Sequence, residues 1–207
     1  MILWSFINHL LIGAILSFIG SLPFGLINIT TSQVSIKQGL KSAIWFALGA
    51  TTIEILQSFL SISFADLITK ENVYEDIFKW FSFGLFVILA IYYFYFNESK
   101  PIDYKLKKSN KLALILRGGY ISMLNFMAFP YWIFYYTYLT KHEFLTFYAP
   151  MDIGFSLGVG LGTFGLLCLY AYYAQKLIQK FAIIDQYINK IIGIIFLILA
   201  GISYFQI

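Results

Sequence analysis

The sequence predicts an all-α integral membrane protein in which six transmembrane helices form two inverted three-helix repeats, with a broken first helix in each half. Of its 207 residues, 60% are hydrophobic and only 12% are charged, whereas soluble globular chains carry about 25% charged residues. Six apolar segments can each cross a bilayer, since a spanning helix needs about 20 mainly apolar residues. The connectors between them are short, so residues 1–207 are expected to form a single transmembrane domain.

The first repeat, about 1–96, contains the first three predicted spans. No basic residue precedes the first apolar run and no small-residue cleavage site follows it, so we expect a retained helix rather than a signal peptide. The connectors are the polar segments Ser35–Lys41 and Asp66–Lys79. The spans themselves are predicted at about Leu3 to Asn28, Ser42 to Ala65, and Trp80 to Phe96.

The second repeat, about 112–207, contains the remaining three spans. With three helices in the first half, the second half enters the membrane from the opposite side, which is the sequence requirement for an inverted repeat. The connector between the halves, Asn97–Lys111, carries five lysines. The spans are predicted at about Leu112 to Leu139, Met151 to Tyr173, and Ile188 to Phe205, with connectors at Thr140–Pro150 and Ala174–Tyr187.

The basic residues lie mainly on one side of this predicted topology. An excess of Lys and Arg marks the cytoplasmic face of a membrane protein, so both termini are expected outside. The net charge of the chain is +4, but its basic residues lie in short segments between apolar runs. This distribution is typical of topology signals and does not support a nucleic-acid partner. The side we expect to be cytoplasmic holds 11 of the 14 basic residues: Lys37, Lys41, Lys100, Lys105, Lys107, Lys108, Lys111, Arg117, Lys176, Lys180 and Lys190.

The first span of each half carries a matching interruption. In span one, Pro23 lacks an N–H group and Gly25 adds backbone freedom. In span four, Pro130 follows Asn125, whose side chain can bond freed backbone groups. Backbone groups without helical hydrogen bonds are tolerated at membrane depth only where they are buried in protein or line a cavity. Paired interruptions in corresponding helices therefore indicate a transporter's binding site. The alternative is a simple proline kink in each helix.

Span two contains an acidic residue at mid-membrane depth. Glu54 is the thirteenth of the 24 residues in Ser42–Ala65, and such residues usually face the bundle interior and serve ion or proton pathways. Desolvation disfavours a carboxylate, so the Glu54 side chain is expected to be neutral when the protein excludes water from it and ionised when water reaches it. The alternative is a protonated Glu54 that bonds Asn28 or Asn125 and only holds helices together. Helical spacing places it on one polar stripe with Thr51, Gln57, Ser58 and Ser61.

Two segments resemble the lysine-exporter (LysE/RhtB) type translocator family. Ser21–Asn28, followed by Gly39, Gly49 and Glu54, is similar to the first half of that family, although Phe24 stands where the family has proline or a small residue. Asn125–Trp132 is similar to the element of the second half, in which an asparagine precedes a helix break.

The resemblance covers nearly the whole chain and implies a function. It implies export of amino acids or similar small molecules from the bacterial cytoplasm across the inner membrane, driven by an ion gradient. By its motif, the resemblance assigns functional positions to Pro23, Gly25, Asn28, Asn125 and Pro130.

The leading hypothesis is therefore a secondary exporter without a cofactor. Its partners would be a small solute, a coupling ion such as the proton, the lipid bilayer and, in a homo-oligomer, further copies of the chain. Glu54, Gln57, Asn28 and Asn125 would bind solute or couple the ion.

A metal-ion exporter would need several ligand side chains at one depth, and only Glu54 is predicted there, so we expect no metal site. A non-transporting accessory subunit needs no polar cavity, and an enzyme would need a nucleophile or ligand cluster that the sequence does not suggest. The single cysteine, Cys168, excludes a disulfide framework.

Overall fold

The computed structural model describes residues 2–22, 25–69, 110–125 and 127–176, together with separate helical positions between 80 and 95 and between 193 and 204. The longer ranges are helical and contain no strand. Their helices are α1 (Ile2–Gly20), α2 (Leu26–Gln38), α3 (Leu40–Thr69), α4 (Lys111–Met123), α5 (Ala128–Lys141) and α6 (Met151–Lys176).

Three helices within these ranges are long and apolar enough to cross a membrane: Ile2–Gly20, Leu40–Ala65 and Met151–Ala174. The pair α4 and α5, bent by 66° at a short break, forms a fourth candidate span. These four correspond to predicted spans one, two, five and four.

Predicted spans three and six lie largely outside the described residues. The positions described there are helical and carry ring contacts. The Tyr204 ring lies 5.7 Å from the Phe83 ring and 6.3 Å from the Trp80 ring, measured between centroids. Phe86 packs edge-on against Phe134 of α5, at 5.2 Å. These residues of the two segments therefore lie together beside α5.

The predicted connector Ser35–Lys41 contains the turn between α2 and α3, but the turn is much shorter than predicted. The chain is helical to Gln38 and again from Leu40, so the connection is Gly39 alone. Gly39 has φ of +91°, a backbone conformation that favours glycine. The prediction was too long because the stretch before Gly39 is polar, yet α2 continues through it, and Ser35 donates its hydroxyl to the carbonyl oxygen of Ala171 in α6. Thr30, Thr31 and Ser32 donate to carbonyl oxygens four residues earlier in the same helix.

Close backbone contact joins α1 to α6. Gly158 and Gly162 of α6 lie against the backbone of α1 at Leu10 and Ala14, and a Cβ at either position would overlap a carbonyl oxygen. Small residues let membrane helices approach in this way. Gly154 also faces α1, at Phe6, whereas Gly165 has no neighbour near its Cβ position.

A second glycine contact joins α4 to α3. Gly49 of α3 lies against the backbone at Ile115, and Gly118 of α4 lies against the backbone at Phe46. The long helix α3 also packs on α2, α5 and α6. Helix α3 is thus the central helix of the described residues, and its buried face holds the predicted polar stripe.

Candidate functional site

The polar stripe of α3 faces the protein interior. Glu54 is 6% exposed, while Leu56 and Leu60 on the opposite face are more than half exposed. Since a mid-membrane carboxyl is expensive to place in lipid, this orientation is the one that a stable helix requires. The buried members of the stripe are Thr51, Glu54, Gln57, Ser58 and Ser61.

The first helix break lies between the end of α1 at Gly20 and the start of α2 at Leu26. Gly25 precedes α2 in extended conformation, and no side chain caps the first turn of α2. Pro23, predicted to cause the break, lies outside the described residues, as does Phe24.

Side chains from elsewhere bond the carbonyl groups that this break frees. The buried Asn28 amide donates from Nδ2 to the carbonyl oxygen of Ser21, at 2.7 Å. The hydroxyl of Tyr170 in α6 donates to the carbonyl oxygen of Leu22, also at 2.7 Å. Backbone carbonyls buried without partners are costly, so these bonds help to hold the break open.

The second break lies between α4, which ends at Met123, and α5, which begins at Ala128. Pro130 falls in the first turn of α5, where proline's missing N–H group has no helical partner to lose. The proline therefore marks the start of the second half-helix, and the break itself is formed by the residues before it. As at α2, no side chain caps this start.

Gln57 connects the polar stripe to the second break. Its Nε2 lies 3.3 Å from the carbonyl oxygen of Ser122 and 3.4 Å from that of Asn125. The structure thus brings together two predicted site residues, with the contact on the Asn125 backbone rather than on its side chain. Asn28 contacts the first break instead. Each break is consequently held by one buried amide side chain.

Tyr131 is a site residue that the sequence reasoning missed. Its hydroxyl donates to the carbonyl oxygen of Leu16 in α1, at 3.0 Å, and its ring fills the space beside Gly20. The sequence feature that could have identified Tyr131 is its position directly after Pro130, which places an aromatic residue in the first turn after the break.

Glu54 forms no hydrogen bond or ion pair with any other residue that the structure describes. The alternative in which it bonds Asn28 or Asn125 is therefore not seen in these ranges. A buried carboxyl in this position can exchange a proton or accept a hydrogen bond from a bound group.

Several other buried polar atoms have no hydrogen-bond partner within the described part of the chain. They lie on α3, α4, α5 and α6, and buried polar atoms ordinarily have a protein or water partner. Such atoms are available to water or to a solute. They are Oγ1 of Thr51, Oε1 of Gln57, Oγ of Ser122, Nε1 of Trp132 and Oγ of Ser156.

In the described ranges, no three His, Cys, Asp or Glu side chains lie close enough to share a metal ion.

Comparison with known proteins gives one match. The model of the LysE type translocator family matches residues 18–203. No curated protein and no solved structure matches the chain.

Proposed function

The chain belongs to the LysE type translocator family, and from that premise we propose that it is a secondary exporter of amino acids or similar small solutes across the bacterial cytoplasmic membrane. The observation that carries this proposal is the buried, unbonded carboxyl of Glu54 on a polar stripe that reaches the second of two helix breaks. Transport driven by protons requires a group that changes charge inside the membrane.

The two halves are proposed to be inverted repeats with three spans each. The packing of the described helices supports this symmetry. Helix α1 of the first half lies along α6 of the second half, and α4 of the second half lies along α3 of the first. The half-helices after the breaks follow the same rule, because α2 packs on α6 and α5 packs on α3.

The solute is proposed to bind between the two breaks, beside Glu54. Helix α2 begins without a side-chain cap, so N–H groups of its first turn are available to an anion such as a carboxylate. In α5 the Ala128 N–H already donates to the carbonyl oxygen of Asn125, and Pro130 has no N–H group. Helix α4, which starts away from the breaks, is capped by Asn110, whose side chain accepts from Ala113 N–H at 2.8 Å. The difference between the capped start of α4 and the uncapped start of α2 favours the first break as the place for a solute's carboxylate.

Glu54 is proposed to couple transport to the proton gradient or to hold the solute's ammonium group. In both roles the carboxyl must be ionised in one state of the cycle and neutralised in another. Gln57 and Asn28 would keep the breaks in position, and Asn125 would present its backbone at the site.

The test is efflux of a panel of radiolabelled amino acids from proteoliposomes containing the purified chain. We expect one or more solutes to leave faster than from protein-free liposomes, and a protonophore to abolish the difference. The absence of efflux for the whole panel, with the protein properly inserted, would instead favour a different solute or the accessory-subunit alternative.

A further inference from the structure

A basic and aromatic cluster lies where α3 and α4 begin. The ammonium group of Lys111, the first residue of α4, lies over the Trp45 ring of α3, with Nζ 5.3 Å from the ring centroid. Lys41 lies one turn before Trp45 on the same face of α3. Both lysines are exposed and Trp45 is half-buried. Two ammonium groups therefore lie beside one indole ring, at the seam between the two helices.

Packing holds this cluster in place. The Trp45 ring packs against a buried apolar cluster that includes Val34 of α2 and Leu114 of α4. The ring in turn restrains the Lys111 side chain, because an ammonium group is attracted to the face of an indole. The N-cap hydrogen bond of Asn110 fixes the start of α4 directly before Lys111. The fold thus sets where these positive charges lie.

Exposed apolar side chains continue from the cluster along both helices. Leu48 and Leu56 follow Trp45 on the exposed face of α3, and Leu112 and Leu116 lie on the exposed face of α4. Because α3 and α4 belong to candidate membrane spans, these leucines face lipid chains, and the lysines at the start of each span lie at headgroup level. The surface is therefore charged at one end and apolar beyond it, as a phospholipid is.

The acidic side chains that the structure describes lie away from this cluster. Glu54 is at mid-span, and Glu143 and Asp152 lie just before and at the start of α6. It is the end of α6 that lies beside the end of α2, because Ser35 donates its hydroxyl to the carbonyl oxygen of Ala171. Among the described side chains, the end of the molecule where α3 and α4 begin is therefore positively charged, and it attracts an anionic partner.

We propose that the seam between α3 and α4 binds an anionic phospholipid, whose phosphate lies between Lys41 and Lys111 and whose acyl chain runs beside Leu48 and Leu116. Phosphatidylcholine carries its own positive group, which the two lysines repel, so the site selects a lipid with a net negative headgroup. Lysines at a membrane surface favour anionic lipid by about fivefold each. In the proposed topology the site lies in the cytoplasmic leaflet, and lipid binding there does not depend on solute transport.

The first test observes the site by fluorescence quenching in vesicles containing the full chain. Replacing the exposed Trp4 and Trp80 by Phe leaves Trp45 at the seam and Trp132, which is buried and out of contact with lipid. Brominated phosphatidylglycerol should quench the Trp45 emission at a several-fold lower mole fraction than brominated phosphatidylcholine does. Equal quenching by the two brominated lipids would overturn the proposal.

The second test assigns the lipid preference to the two lysines. Lys41→Gln and Lys111→Gln should each reduce the preference for phosphatidylglycerol about fivefold. Lys141→Gln is the matched control, since it removes the same charge at the end of α5, beside the loop that leads to α6, and should leave the preference unchanged.

Three outcomes of these experiments would contradict the proposal. The preference could survive when Lys41 and Lys111 are both replaced, or it could fall as much in Lys141→Gln as in Lys111→Gln. The first result would place the bound lipid elsewhere, and the second would show attraction to the overall charge of the chain. Release of the quenching by inorganic phosphate would assign the cluster to a free phosphate instead of a lipid.

Discussion

At the residue scale, a few side chains hold the two breaks in relation to Glu54. The sequence predicted Glu54 and Gln57 on one stripe because α-helical spacing alone sets which residues share a face. It could not predict that Gln57 reaches the carbonyl groups of Ser122 and Asn125, since that contact depends on how α3 packs on α4. Tyr131 was missed for the same reason: the partner of its hydroxyl, the carbonyl oxygen of Leu16, lies in α1.

Gln57→Met should lower stability by about 1 kcal/mol, because it removes the side-chain hydrogen bonds to the Ser122 and Asn125 carbonyl oxygens, which keep their backbone donors. Methionine has similar length, so packing is nearly preserved. Thermal unfolding in detergent measures the effect. Thr52→Val, on the exposed face of the same helix, serves as the control and should change little. Equal midpoints for the two variants would show that Gln57 does not stabilise the break.

Tyr131→Phe should keep the ring beside Gly20 and remove the hydroxyl bond to Leu16. A loss of about 1 kcal/mol is expected for such a bond, together with slower solute efflux, because the contact joins the second break to α1. Tyr138→Phe, on the same helix, provides a matched control. Efflux that is unchanged in Tyr131→Phe would remove this residue from the site.

At the element scale, the long apolar helices were predictable and the short polar one was not. The prediction of Met151 to Tyr173 agrees with α6 at its first residue, because a continuous apolar run with a proline before it leaves little choice. The sequence predicts no separate helix at α2, whose residues fall at the end of span one, in the stretch after it and in the polar connector Ser35–Lys41. Helix α2 is rich in Ser and Thr, which are typical of loops in water. Inside a bundle these side chains bond their own helix, so polarity alone does not mark a loop there.

Gly158→Ala should separate α1 from α6, because the added Cβ meets the backbone at Leu10. A cost of about 1–3 kcal/mol is expected from such overpacking. Gly165→Ala lies on the same helix, where a Cβ meets nothing, and should leave stability unchanged or slightly improved. A midpoint for Gly158→Ala as high as that for Gly165→Ala would contradict the close contact of these helices.

At the scale of the whole molecule, composition was enough to predict helical membrane spans, and the family match agrees with the resemblance seen in two short segments. The relation between the halves was harder to derive. The two halves share little in sequence beyond a break in the first helix, and it is the packing between the described helices, such as α1 on α6 and α4 on α3, that suggests their symmetry.

The distribution of basic residues predicts that both termini lie outside. A phosphatase fused after Ile207, which is active only outside the cytoplasm, should therefore be active, and a reporter that works only in the cytoplasm should be silent. The opposite result, an inactive phosphatase and an active cytoplasmic reporter, would mean that every helix crosses the membrane in the direction opposite to the one proposed.

The central claim is that Glu54 couples solute export to an ion gradient. Its most direct test compares gradient-driven efflux from proteoliposomes containing the wild type, Glu54→Gln, or Glu143→Gln, which removes an acidic group at an exposed position. Glu54→Gln is expected to insert normally and to lose at least about tenfold in efflux rate, while Glu143→Gln is expected to transport as the wild type does. Wild-type efflux from the Glu54→Gln protein would contradict the claim.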